Sequence, residues 1–141
     1  MSRILPNSFQ MPNYYCDELL HLLNGPEIKV LVYAARRIFG FQKTSDRISL
    51  TQFCEGKKSK DGDVLDNGTG LARATVHRIV EMFVETGILI QLSENEKNQG
   101  AEYTLNLNSD QINLPYYTSR QLKDSAAIAP KIEKINASNI S

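Results

Sequence analysis

At 141 residues the chain has the length of one domain with a short extension, and its 41% apolar share is that of an ordinary globular protein. No run approaches the ~18 uninterrupted apolar residues of a transmembrane helix, and MSRILPNSFQMPN has no apolar stretch of signal-peptide length, so the expected location is cytoplasmic. Sixteen Lys and Arg balance sixteen Asp and Glu, which argues against a uniformly basic protein.

The balance hides a gradient. Residues 29–78 hold ten Lys/Arg against five Asp/Glu, while the segments on either side are net acidic. A local cationic face of this kind is what phosphate contact requires. The two cysteines, Cys16 and Cys54, lie far apart with no CxxC and no histidine pair at zinc-ligand spacing. They read as free thiols in a reducing compartment.

In chain order, Cys16, Leu19, Leu20 and Leu23 recur at helical spacing and predict a first helix over 13–23. Asn24-Gly25-Pro26-Glu27 breaks it and restarts the chain. Asn24 is placed to cap, Glu27 stands three positions on as a capping box requires, and Pro26 suits a first turn. A second helix is predicted over 26–39, with Ile28, Leu31, Val32, Ala35 and Ile38 or Phe39 buried. Lys29, Tyr33, Arg36 and Arg37 fall on its wet side, and Gly40 is its stop. Asp46 to Leu50 reads as a turn and a short strand, after which Ser49 or Leu50 opens a short helix with Phe53 as its core contact.

GKKSKDGDVLDNGTG, residues 56–70, has the composition of a mobile surface loop. Its Asp61, Asp63 and Asp66 invite a calcium reading, but the acidic residue that closes an EF-hand loop is missing and lysines dilute the charge. No metal or cofactor is expected. Val76, Ile79, Val80 and Phe83 then share one face of a helix predicted over 72–86, closed by Gly87. Residues 88–92 and the alternating run 101–107 predict two strands joined by a turn, a hairpin directly after a helix. The fold expected is mainly α with a small β wing, a winged helix-turn-helix over residues 1–107. From 108 the pattern dissolves, and 108–141 is expected to be flexible or loosely docked, with a short helix around 131–135.

The run Thr69-Gly70-Leu71-Ala72-Arg73-Ala74-Thr75-Val76-His77-Arg78-Ile79-Val80 carries the functional expectation. A glycine turn and a leucine lead into a helix whose first two turns bear Arg73, Thr75, His77 and Arg78, with the apolar face reserved for the core. Such a start fits the major groove, where Arg reaches guanine N7 and O6 and Thr or His reaches a base edge or a phosphate. Glu81 and Glu85 follow on the outer face, so only the first two turns should approach phosphates. These acids are spaced to pair with His77 or Arg78. Lys43 and Arg47 beside the short strand, Lys57, Lys58 and Lys60 in the loop, and Lys97 and Asn98 at the wing tip are candidate backbone contacts. Tyr14, Tyr15, Tyr116 and Tyr117 are not interleaved with basic residues and read as packing groups. No serine, histidine and acid in catalytic context, no Gly-rich phosphate loop and no HExxH is present, so no enzyme is expected.

With these segments placed, the chain resembles the N-terminal domain of the phage replication protein O family, found in phages and mobile elements. The resemblance runs over residues 9–92. It rests on Phe9-Gln10-Met11-Pro12-Asn13, Asp17-Glu18-Leu19-Leu20, Gly25-Pro26-Glu27-Ile28-Lys29-Val30-Leu31 and Arg36-Arg37-Ile38-Phe39-Gly40-Phe41. It continues through Ser45-Asp46-Arg47-Ile48-Ser49-Leu50-Thr51-Gln52-Phe53, Asp61-Gly62 and Leu65-Asp66-Asn67-Gly68-Thr69-Gly70-Leu71. It implies a winged helix that recognises double-stranded DNA at a replication origin, often as a homodimer on repeated sites. In such initiators a further C-terminal region recruits the replicative helicase or its loader. Only a short stretch follows the hairpin here, and that partner is left open. Ala72 departs from the family's pattern, which prefers a serine there. Two alternatives stand beside a DNA-binding initiator: a transcriptional regulator with the same domain, and a winged helix used only for protein association.

Overall fold

A computed structural model describes residues 6–40, 43–97 and 99–124. Residues 13–22 are helical, but their winding is uneven, a π segment at Tyr15–Leu19 followed by a 3₁₀ turn at Leu20–Leu22. The change in pitch moves the apolar stripe. Tyr15, Leu19, Leu22 and Leu23 are buried, whereas Cys16 and Leu20, expected inside from a regular 3.6-residue period, face solvent. The Tyr15 hydroxyl reaches across the core and donates to the carbonyl of Asn106 at 2.5 Å.

Helix α1, Gly25–Phe39, begins at the capping box read from the sequence. Asn24 Oδ1 accepts from the Glu27 N–H at 2.9 Å, and Glu27 Oε1 accepts from the Asn24 N–H at 3.0 Å. Its core face is Val30, Leu31, Ala34, Ala35 and Ile38. Three residues lie opposite to the predicted side. Val32 is 45% exposed, while Tyr33 and Arg37 are buried because a polar network receives their ends.

Strand β1, Asp46–Ile48, is followed by a second capping box, Ser49 with Gln52, that opens helix α2, Leu50–Glu55. Phe53 of α2 is fully buried, its ring 5.6 Å from that of Tyr33 and 6.3 Å from that of Tyr103. Helix α3, Arg73–Thr86, buries Val76, Ile79, Val80 and Phe83, the stripe its spacing predicts. It ends at Gly87, whose φ of 87° suits glycine and whose absent side chain lets the backbone oxygen of Gln111 approach. Strands β2, Leu89–Ser93, and β3, Ala101–Leu105, form an antiparallel hairpin with a bulge between Gln91 and Ser93. Strand β1 pairs antiparallel on the other side of β3, giving the order β1-β3-β2. The result is a helix-rich fold with one small three-stranded sheet. No helix among the described residues is long and apolar enough to cross a membrane.

The stretch after the hairpin is more firmly held than a loosely docked extension. A 3₁₀ turn at Ser109–Gln111 leads to Ile112, which is buried, and the Asn113 N–H donates to the carbonyl of Thr86 at 2.8 Å. Residues 114–124 then form helix α4. Its Tyr117 is fully buried and shares a 2.7 Å hydrogen bond with the hydroxyl of Thr86. Arg120 donates to both carboxylate oxygens of buried Glu27, at 2.7 and 2.8 Å, and to the carbonyl of Leu22 at 2.9 Å. Glu27 therefore caps α1 and clasps α4 with one carboxylate. The packing of Tyr117 is as the sequence suggests, but the helix that carries it and the clasp of Arg120 on Glu27 were not legible, because no helical periodicity marks this stretch. The short helix expected around 131–135 lies outside the described residues.

Candidate nucleic-acid interface

The turn into α3 is fixed by the end of α2. The Thr69 N–H and hydroxyl both donate to the carbonyl of Phe53, at 2.8 and 2.7 Å, and the Gly70 N–H donates to that of Cys54 at 3.0 Å. Thr69 Oγ1 also accepts from the Leu71 N–H at 3.2 Å. Gly68, at φ 69°, passes so close to the backbone of Cys54 and Gly56 that a Cβ would lie 2.5 Å from the Gly56 nitrogen. These contacts set the angle between α2 and α3.

From that turn α3 projects its cations. Arg73, His77 and Arg78 are exposed and Thr75 is half-buried. Arg73 Nη1 donates to Thr51 Oγ1 at 3.1 Å, which holds its guanidinium beside the start of α2. His77 Nε2 stands 3.3 Å from Glu81 Oε1, the i,i+4 pairing its spacing allows. Arg78 has no partner among the described residues. Ala72 occupies the N-cap position with extended backbone and no side-chain cap. A helix started this way is weaker by about 0.5–2 kcal/mol than one capped by serine.

Residues 56–70 are a surface loop, as their composition predicts, closed by one isolated bridge. Lys58 and Val64 form an antiparallel bridge, the Leu65 N–H donates to the Lys57 carbonyl at 2.8 Å, and the Ser59 N–H donates to that of Asp63 at 2.8 Å. The result is a small β ribbon with Lys58 and Lys60 exposed and Lys57 half-buried. Asp61 and Asp63 are exposed near its tip, and Asp66 sits at its base. There the Asp66 Oδ1 accepts from the Lys57 N–H at 3.2 Å, the Gly68 N–H at 3.0 Å and the Tyr33 hydroxyl at 3.0 Å. Asp66 is thus a backbone organiser.

Two predicted phosphate contacts have work inside the protein. The Arg47 guanidinium donates to the carbonyls of Gly100 at 2.8 Å and Glu94 at 3.4 Å and to Ser93 Oγ at 3.0 Å, with Glu102 at 3.9 Å. It ties β1 to the β2–β3 hairpin and so acts as a brace, with 29% of its side chain exposed. Lys43 pairs with Asp46 at 3.4 Å while staying exposed. At the hairpin tip Lys97 is exposed among exposed Glu94 and Glu96, which leaves the tip without a cationic excess in 94–97. Asn98 lies outside the described residues.

Sequence reasoning missed Thr51, Tyr33, Arg37 and Asp66. Arg37 is 4% exposed. It donates to Asp46 Oδ2 at 2.9 Å, the Arg47 carbonyl at 3.0 Å, the Tyr33 hydroxyl at 3.1 Å and Gln52 Oε1 at 3.3 Å. Burial pushes the Tyr33 hydroxyl pKa up to about 12, so it is a neutral donor at any physiological pH. The i,i+4 spacing of Tyr33 and Arg37 was the available signal, but it is equally that of two solvated residues. Among the described residues no group of three His, Cys, Asp or Glu side chains is placed to hold a metal ion. No family model, no curated protein and no solved structure matches this chain.

Proposed function

We propose that this chain is a double-stranded DNA-binding protein of the winged helix-turn-helix type, related to phage replication initiators. In this reading α2 and α3 are the helix-turn-helix. The first two turns of α3 enter the major groove, and the β2–β3 hairpin is the wing. The observation that carries the reading is the outward projection of Arg73, His77 and Arg78 from the start of a helix whose opposite face is sunk in the core. Arg73 and Arg78 read bases or adjacent phosphates, Thr75 and His77 stand beside them, and Lys58 and Lys60 on the ribbon meet the backbone. Glu81 and Glu85, exposed further along α3, keep its second half off the phosphates. The resemblance over residues 9–92 supports a replication origin as the target. A promoter operator is the alternative, and mapping the bound genomic site separates the two, because iterated repeats mark an origin.

A reading as a protein-association module is favoured by one feature, the acidic character of the hairpin tip with Glu94 and Glu96. The discriminating experiment is retention of random duplex fragments by the full chain across a salt series, with sequencing of what is kept. For DNA binding, log K falls linearly with log salt at a slope of about −3 to −5, as expected for roughly four or five phosphate contacts, and the retained pool converges on one sequence. No retention at low salt supports association instead.

A further inference from the structure

The groups assigned to DNA lie on separate elements, a ribbon, a helix start and a braced hairpin, and one buried side chain touches the supports of all three. Arg37 binds the carbonyl of Arg47, whose own side chain ties down the hairpin. It binds Gln52, whose Oε1 also accepts from the Ser49 N–H and so opens α2. It binds the Tyr33 hydroxyl, which continues to Asp66 at the base of the ribbon. Arg has donors only, so the hydroxyl must accept from Arg37 and donate its proton to Asp66. The direction of the chain of bonds is therefore fixed. Asp66 in turn holds the Lys57 N–H at one side of the ribbon and the Gly68 N–H at the turn into α3.

We infer that Tyr33 and Asp66, oriented by Arg37, are positioning residues that hold the 57–65 ribbon in register with the start of α3, so that Lys58 and Lys60 reach the backbone of the same duplex that α3 reads. This rests on the DNA-binding reading and adds to it a defined ribbon contact and its control. Neither Tyr33 nor Asp66 touches the nucleic acid. Loss of the Tyr33 hydroxyl frees the ribbon and leaves in place the Thr69 and Gly70 hydrogen bonds that set the start of α3.

The test is duplex binding by the full chain over a salt series, using the fragment retained by the parent. Tyr33→Phe removes only the bridging hydroxyl. Its expected effect is a loss of affinity of about tenfold with a salt slope shallower by roughly one to two units, the share of two lysine–phosphate contacts. A Lys58→Ala, Lys60→Ala double variant is expected to show the same loss and the same slope. Adding Tyr33→Phe to it is expected to cost nothing more, because both changes remove one contribution. Asp66→Asn keeps a carbonyl oxygen for the Tyr33 hydroxyl as well as for the two backbone donors and is expected to keep the parent slope, whereas Asp66→Ala copies Tyr33→Phe. This pair gives the same comparison if Tyr33→Phe fails to fold. A purely structural role would lower the thermal midpoint and leave the slope alone. A parent-like slope in Tyr33→Phe and Asp66→Ala, or losses that add to those of the lysine variants, overturns the inference while the parent still binds. A parent that retains no duplex at all contradicts the DNA reading itself, and the inference falls with it.

Discussion

Replacing Arg73 and Arg78 together by alanine is expected to lower duplex affinity by at least about thirtyfold, since each such contact contributes ~1–3 kcal/mol and every 1.4 kcal/mol is tenfold. The effect should fall on binding alone. Both side chains are exposed, Arg78 has no partner among the described residues, and Arg73 gives up only its 3.1 Å bond to Thr51. Exposed substitutions of this kind change stability by no more than about 0.5 kcal/mol. The measurement is the dissociation constant on a retained duplex, with the urea midpoint as the folding control. An affinity within threefold of the parent would mean that α3 is not the reading element. If Arg73 reads a base, its single alanine variant also relaxes the preference at one position of the site, whereas a phosphate contact weakens all sequences alike.

Arg37→Leu is expected to destabilise the fold by about 3–5 kcal/mol, the range for breaking a buried ion pair from one side. Leucine fills part of the volume but supplies none of the donors that Asp46, Tyr33, Gln52 and the Arg47 carbonyl lose. The Asp46 side chain is 12% exposed, and its remaining cation, Lys43, sits at 3.4 Å with nearly half its surface in water, so compensation is slight. Urea unfolding followed by circular dichroism measures this directly. A shift below about 1 kcal/mol, the net worth of one ordinary hydrogen bond, would show that water replaces the guanidinium and that the network does not hold the elements together.

The two predictions separate two roles that look alike in the sequence. Arg37 and Arg78 are both arginines on helices with apolar stripes. One is swallowed by a network built from β1, α2 and Tyr33, and the other is left in solvent. Nothing in spacing distinguishes them, because three of the four partners of Arg37 come from residues nine to fifteen positions away, whose placement depends on the fold itself. The same holds for Arg47. It stands in the predicted strand as expected, yet its side chain is taken by the hairpin some fifty residues on. Long-range polar contacts are invisible to periodicity, and they give Arg47 a bracing role that its position in the sequence does not show.

Where apolar periodicity decides the structure, the reading was close. The Val76, Ile79, Val80 and Phe83 stripe, the Asn24–Glu27 capping box and the hairpin follow from local rules that act within a few residues. The stripe on residues 13–22 failed for a physical reason, since a π segment changes the angular step and carries Cys16 and Leu20 outward. Residues 56–70 are the surface loop that their composition predicts, and only the Lys58–Val64 bridge within it was not legible. Its order comes from a carboxylate, Asp66, satisfied by backbone donors. Helix α4 was hidden because it is anchored by Tyr117 and Arg120 and shows no repeating pattern. The exposed start of α3 was legible in full, apart from the hold of Thr51 on Arg73.

The charge gradient gains meaning from these placements. The cations of residues 29–78 divide into a buried brace, Arg37, the half-buried Arg47 and Lys57, and exposed groups on α1 (Lys29 and Arg36), before β1 (Lys43), on the ribbon and on α3. Of the acids that follow, Glu81 and Glu85 stand on the far part of α3 and Glu94 and Glu96 at the hairpin tip. A neutral chain can in this way present a cationic edge at the start of α3, bounded by carboxylates that limit how much of the helix approaches phosphate. The hairpin then acts by shape more than by charge.

The most direct measurement is a map of backbone amide shifts on the full chain as a retained duplex is added. The largest changes are predicted at residues 69–78, with a second set along the ribbon at 57–65 and none on α4. Changes centred on α4 or on the outer face of α1, with Arg73 to Arg78 unmoved, would contradict the placement of DNA at the start of α3.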